Sequence, residues 1–104
     1  MVKVRIKRNH TGICEVEIKD HAGYADAGQD LVCAGVSSIA VGMMNALDRM
    51  VPDTCTFVMK DAYIHICIVQ QNKENELLLE ALVYQLMTLR ESYQSYITIN
   101  DQEV

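Results

Sequence analysis

The chain has 104 residues, half of them apolar and 22% charged, with a net charge of −5. That length makes one domain, residues 1–104, with a modest core, and the acidic balance argues against a protein that grips RNA or DNA through phosphates, so no direct nucleic-acid partner is expected. Four cysteines would suggest disulfides in an exported chain, but Met1 leads into strand-like alternation and not into an apolar signal segment, so free thiols and a cytoplasmic location are expected.

Val2, Val4 and Ile6 alternate with Lys3, Arg5 and Lys7, the period-two pattern of a strand with one dry and one wet face. Cys14, Val16 and Ile18 alternate with Glu15, Glu17 and Lys19 in a second strand, and residues 9–12 supply the turn of an antiparallel hairpin, with His10 exposed in it. The glutamates face the basic residues across the hairpin, so the lysines and arginine read as cross-strand pairs and not as a nucleic-acid patch. Residues 22–29 then form a loop with Gly23 and Gly28 among small residues, apart from Tyr24.

A helix is predicted from Leu31 to about Val51, N-capped by Asp30 and ended by Pro52. Val36, Ile39, Ala40, Val41, Met43, Met44, Leu47 and Met50 fit no single stripe, so this helix must be covered on most sides. A sheet, a second helix and a partner subunit are expected to share that cover, with Gly35 and Gly42 allowing close backbone approach. The segment is long enough to cross a bilayer, but Ser37, Ser38, Asn45, Asp48 and Arg49 interrupt it, so a buried helix is expected and no membrane partner.

Residues 54–60 and 63–70 make a second hairpin around Asp61 and Ala62, with Cys55, Phe57 and Met59 alternating in one strand and Ile64, Ile66 and Ile68 in the other. Asn72 or Asn75 caps a second helix with Leu78, Leu82, Leu86, Leu89 and Tyr93 as its apolar stripe. Ile97 and Ile99 suggest a short last strand, and residues 101–104 a frayed acidic tail. The order β-β-α-β-β-α-β, with charges confined to one strand face, predicts an α+β two-layer sandwich. Its sheet is mixed and mostly antiparallel, with both helices on one face.

The chemistry concentrates between the first hairpin and the first helix. Cys33 falls in the first helical turn, where unpaired N–H groups and the positive end of the helix dipole favour a thiolate. His21 lies twelve positions earlier, across the flexible loop, so the two can meet. Such a pair suits nucleophilic catalysis, with the imidazole as base and later as acid, and the helix-start N–H groups, that of Cys33 included, are candidate oxyanion donors. Asp30 serves as cap, its carboxylate also favouring a charged imidazole. Ser37, one turn beyond Cys33, either supports the sulfur or bonds a backbone carbonyl. Cys14, Cys55 and Cys67 sit inside strands and read as structural. No Cys-x-x-Cys or clustered His/Cys ligand spacing occurs, so no metal and no cofactor is expected.

The run HAGYADAGQDLVCAGVS, from His21 to Ser37, resembles the bacterial ribosomal-processing cysteine protease family, Prp. The resemblance implies a cytoplasmic, homodimeric endopeptidase that removes a short N-terminal extension from the basic large-subunit ribosomal protein L-twenty-seven, with His21 and Cys33 as its catalytic pair. An acidic chain suits a basic ribosomal-protein peptide as substrate. The loop, through Ala22, Gly23, Tyr24 and Gly28, is expected to cover that peptide. Glycine often precedes the histidine in this family, whereas Asp20 stands there here, which changes the backbone freedom and charge beside the base. The alternative from another class is a noncatalytic ribosome-associated binding module.

Overall fold

The alternation and capping signals build the elements in the expected order: β1 (Val2–Asn9), β2 (Gly12–Lys19), α1 (Leu31–Met50), β3 (Cys55–Lys60), β4 (Tyr63–Ile68), α2 (Lys73–Ser92) and β5 (Ile97–Glu103). The computed structural model describes residues 1–26 and 28–103; Ala27, in the predicted loop, and Val104, at the end of the predicted tail, lie outside the described residues. The five strands form one sheet in the order β3-β4-β2-β1-β5. The β1–β5 pair is parallel, and the other pairs are antiparallel. Val4, Ile6, Val16, Ile18, Ile66 and Ile97 bury one face of the sheet together with Val32, Ala40 and Leu47 of α1 and Leu79, Leu82 and Leu86 of α2. The result is the predicted two-layer α+β sandwich.

The opposite face is a lattice of ion pairs. Arg5 reaches Glu17 at 3.2 Å and Glu15 at 3.7 Å, Lys7 reaches Glu15 at 3.5 Å, and His65 Nε2 lies 2.8 Å from Glu15 Oε1. Arg5 and Lys7 are therefore neutralised by the facing glutamates, as the alternation suggested, whereas Lys3 lies opposite Lys19 and pairs with Asp20 instead.

Several details depart from the sequence-based expectations. In β2, Lys7 pairs with Glu15 but Arg8 pairs with Ile13, so Cys14 is the extra residue of a bulge. Ile13 turns inward and is fully buried, while the half-buried Cys14 donates its thiol to the Lys7 carbonyl at 3.4 Å. In β3, an edge strand, Cys55 and Phe57 face the core but Met59 is 63% exposed. The acidic tail is not frayed: Asp101, Gln102 and Glu103 continue β5 beside Ile6, Lys7 and Arg8. Arg8 pins it by bonding both Asp101, from Nε at 2.8 Å, and Glu80.

The stripe of α2 is rotated from the predicted one. Asn72 is the N-cap and Asn75 completes a reciprocal capping box. The buried Asn75 amide also donates to the Gln70 carbonyl at 2.8 Å, which turns Leu79, Val83 and Leu86 inward and leaves Leu78 and Leu89 half-buried. On α1, the sheet and α2 bury Val32, Val36, Ala40, Met43, Met44 and Leu47, while the apolar Leu31 and Met50 are exposed together with Ala34, Ser37, Ser38, Gly42, Asn45 and Asp48. A Cβ on Gly35 would meet the Leu89 side chain at 3.0 Å, so Gly35 does permit close helix approach, whereas Gly42 faces open space.

Candidate active site

Asp30 organises the site. Its Oδ1 accepts the Cys33 N–H at 2.9 Å, and its Oδ2 accepts the N–H groups of Tyr24, at 3.0 Å, and Ala25, at 3.4 Å. One carboxylate thus caps α1 and draws the loop onto the helix start. Desolvation pushes the Asp30 carboxyl up, but the three backbone N–H groups, aided by the Cys33 thiol, outweigh it and hold the group below its ordinary value.

This geometry places Cys33, half-buried, at the first turn of α1 as predicted. Its own N–H is committed to Asp30, which removes it from the expected oxyanion donors. A different N–H reaches the sulfur: that of the buried Ala22 donates to Sγ at 3.2 Å. Accepting a hydrogen bond is a role a thiolate fills better than a thiol. The neighbour of Ala22, His21, lies two residues past the end of β2 with its side chain 68% exposed and Nε2 4.0 Å from Asp61 Oδ2. Among the described residues no hydrogen bond joins the His21 ring to Sγ, and none joins it to Asp30, whose oxygens hold the loop instead.

The loop residues divide by role. Gly23 and Gly28, both at positive φ, border a cavity of about 670 Å³ beneath the loop. Tyr24 borders neither this cavity nor its neighbour; its ring packs edge-on against Tyr93 and Tyr96 at 5.5 and 5.1 Å, so it clasps the loop to the end of α2. A second cavity of about 290 Å³ runs between α1 and the sheet, with Val2, Ile18, Val36, Val41, Met59 and Ile64 as an apolar lining. His21, Cys33, Ser37 and Asp61 are the side chains that border both cavities. Of these, Asp61 was missed in the sequence, where it read as a hairpin turn. The Ser37 hydroxyl makes no hydrogen bond among the described residues, neither to Sγ nor to a carbonyl one turn back.

The other cysteines are placed differently. Burial pushes the Cys55 thiol up, against the opposing hydrogen bond of Thr54, which suits packing and not attack.

A model of the cysteine protease Prp family matches residues 1–98. The chain belongs to the cysteine protease Prp family. The ribosomal processing cysteine protease Prp of Staphylococcus aureus is 31% identical over 104 residues, covering 96% of this chain and 98% of the relative. Two S. aureus Prp crystal structures superpose closely. One, with a covalently linked product peptide, has a TM-score of 0.93 at 29% identity and covers 98% of this chain and 100% of that one. The other, with a substrate peptide, has a TM-score of 0.87 at 28% identity and the same coverage. As a member of the Prp family, the chain is a cysteine-type endopeptidase, which sets aside the binding-module alternative. Asp20, the residue before His21, sits at φ 73, in the left-handed region that favours glycine.

Proposed function

We propose that this endopeptidase removes the N-terminal extension of the large-subunit ribosomal protein L-twenty-seven in the cytoplasm, with Cys33 as nucleophile and His21 as general base and acid. The observation that carries this reading is the meeting of two cavities at His21, Cys33 and Ser37. An extended peptide can occupy both cavities while its scissile carbonyl sits over the sulfur. The apolar cavity suits an apolar side chain, and the net charge of −5 suits a basic chain arriving from solution.

The chemistry then runs in two halves. His21 takes the Cys33 proton as Sγ attacks the carbonyl carbon, and the negative charge develops on the carbonyl oxygen. The Ala22 N–H, already 3.2 Å from the sulfur, serves as a donor to that oxyanion. Collapse breaks the C–N bond, the amine leaves with the proton from His21, and a thioester remains on Cys33. Water then attacks the thioester, giving a proton to His21, and the acid product departs as the proton returns to the sulfur.

Homodimerisation is part of this reading. It is supported by a small chain whose α1–α2 groove leaves Ser38, Gly42, Gln85 and Thr88 open beside the apolar Ile39, Met43 and Leu89. Alkylation of Cys33, located by mass spectrometry and followed against pH in wild type and His21→Ala, tests the dyad beside cleavage of a peptide spanning the extension. Fast alkylation well below pH 8 that needs His21, with cleavage lost in His21→Ala, is the expected result. Ordinary thiol behaviour and no cleavage by wild type would overturn the reading. Sedimentation of the same sample at twice the chain mass is expected for the dimer, and a single chain mass would refute it.

A further inference from the structure

Asp20, Asp26, Asp30 and Asp61 line the cavities beside His21; among the described residues Asp26 makes no ion pair with it, and two of the other three have other partners. Asp20 is paired with Lys3 Nζ at 3.3 Å. The oxygens of Asp30 take the backbone N–H groups of Cys33, Tyr24 and Ala25. The third, Asp61, places Oδ2 4.0 Å from His21 Nε2. It lies forty residues further along the chain, and a backbone link brings it there. The Asp20 N–H donates to the Ala62 carbonyl at 2.9 Å, joining the residue before His21 to the residue after Asp61. Ala62 adopts φ 53 in making this turn. Asp61 therefore belongs to a hairpin tip that is tied to the histidine, and it borders both cavities with Cys33.

We propose that Asp61 is a positioning residue for His21, a role that rests on the dyad reading above. When the 4.0 Å gap closes to hydrogen-bond distance, its carboxylate accepts the Nε2–H, which fixes the tautomer and leaves Nδ1 as the nitrogen free to face the sulfur. Which ring nitrogen carries the proton is set by the hydrogen bond the other makes, and a base held by a third group is the general logic of an activated nucleophile. Asp61 is 96% exposed, so water screens the pair and the effect on rate is modest, about threefold to fivefold.

The test combines nitrogen NMR of the His21 ring with peptide-cleavage kinetics in wild type, Asp61→Ala, Asp61→Asn and His21→Ala. Asp61 lies on an exposed turn, and unchanged thermal unfolding of the two Asp61 variants controls for folding. Wild type is expected to show the Nε2–H tautomer. Asp61→Ala is expected to lose that preference and to lower kcat about threefold to fivefold with KM unchanged, while Asp61→Asn, which keeps an acceptor oxygen, restores both. Asp61→Ala with wild-type tautomer and kcat, or Asp61→Asn that restores neither, would overturn the proposal. Undiminished cleavage by His21→Ala would instead overturn the dyad reading beneath it.

Discussion

Asp20 shows how one residue carries a backbone demand into a reactive site. At φ 73 an ordinary L-residue pays roughly 1 kcal/mol, aspartate tolerates the region better than most, and glycine meets it without a clash. The ion pair with Lys3 is exposed at both ends, 58% and 51%, and contributes little. Asp20→Gly is therefore expected to keep stability within about 1 kcal/mol of wild type, the relief of strain being offset by the greater freedom of the unfolded chain. Asp20→Ala keeps the strain without the tolerance and is expected to lose about 1 kcal/mol. Urea unfolding midpoints of the three proteins in the order Gly and Asp above Ala would bear this out, and an Ala variant equal to wild type would refute it.

At the scale of elements, the first hairpin and α2 are locked through a glycine. Gly12 has φ 142, and a Cβ there would overlap the Glu76 carboxylate. Glu76 is at the end of a flexible side chain, but its Oε1 accepts the Ile13 N–H at 2.6 Å, so moving aside breaks that bond. Gly12→Ala is expected to cost about 1–3 kcal/mol through combined overlap and backbone strain, read as a lower denaturation midpoint. An unchanged midpoint would show that the hairpin turn is not held against α2 in this way. The loop before α1 is held by the same logic, with Asp30 at one end and the Tyr24 ring on Tyr93 and Tyr96 at the other.

For the whole molecule, the ion-pair face links stability to pH. The His65 hydrogen bond, with Lys7 and Arg5 behind it, holds the Glu15 carboxyl below its ordinary value against an opposing desolvation. An acid whose folded value is depressed stabilises the fold fully above its unfolded value, about 4.3 for glutamate, and that contribution is lost as pH falls through the lower folded value. Glu76 runs the other way: burial pushes its carboxyl up, so its ionised form costs stability that is recovered on acidification. The difference between proteins isolates Glu15. His65→Ala is expected to lower Tm at pH 7, with the gap to wild type narrowing below about pH 4. A gap that stays constant down to pH 2 would show that His65 acts by packing alone.

The sequence by itself determined whatever is encoded within one turn or one pleat. Period-two alternation marked β1, β2 and β4; Asp30 marked the start of α1, and Asn72 or Asn75 that of α2; and the spacing of His21, Asp30, Cys33 and Ser37 located the candidate site, because all four lie within one loop and two turns of helix. Only the tertiary structure decided what depends on distant partners. The Cys14 bulge follows from how β1 and β2 register, the last acidic residues became strand because β1 offered an open edge and Arg8 a cation, and the rotation of α2 follows from the Asn75 bond to Gln70. Asp61 was out of reach for the same reason: nothing local distinguishes a turn aspartate from one that a hairpin carries to within 4.0 Å of a histidine forty residues away.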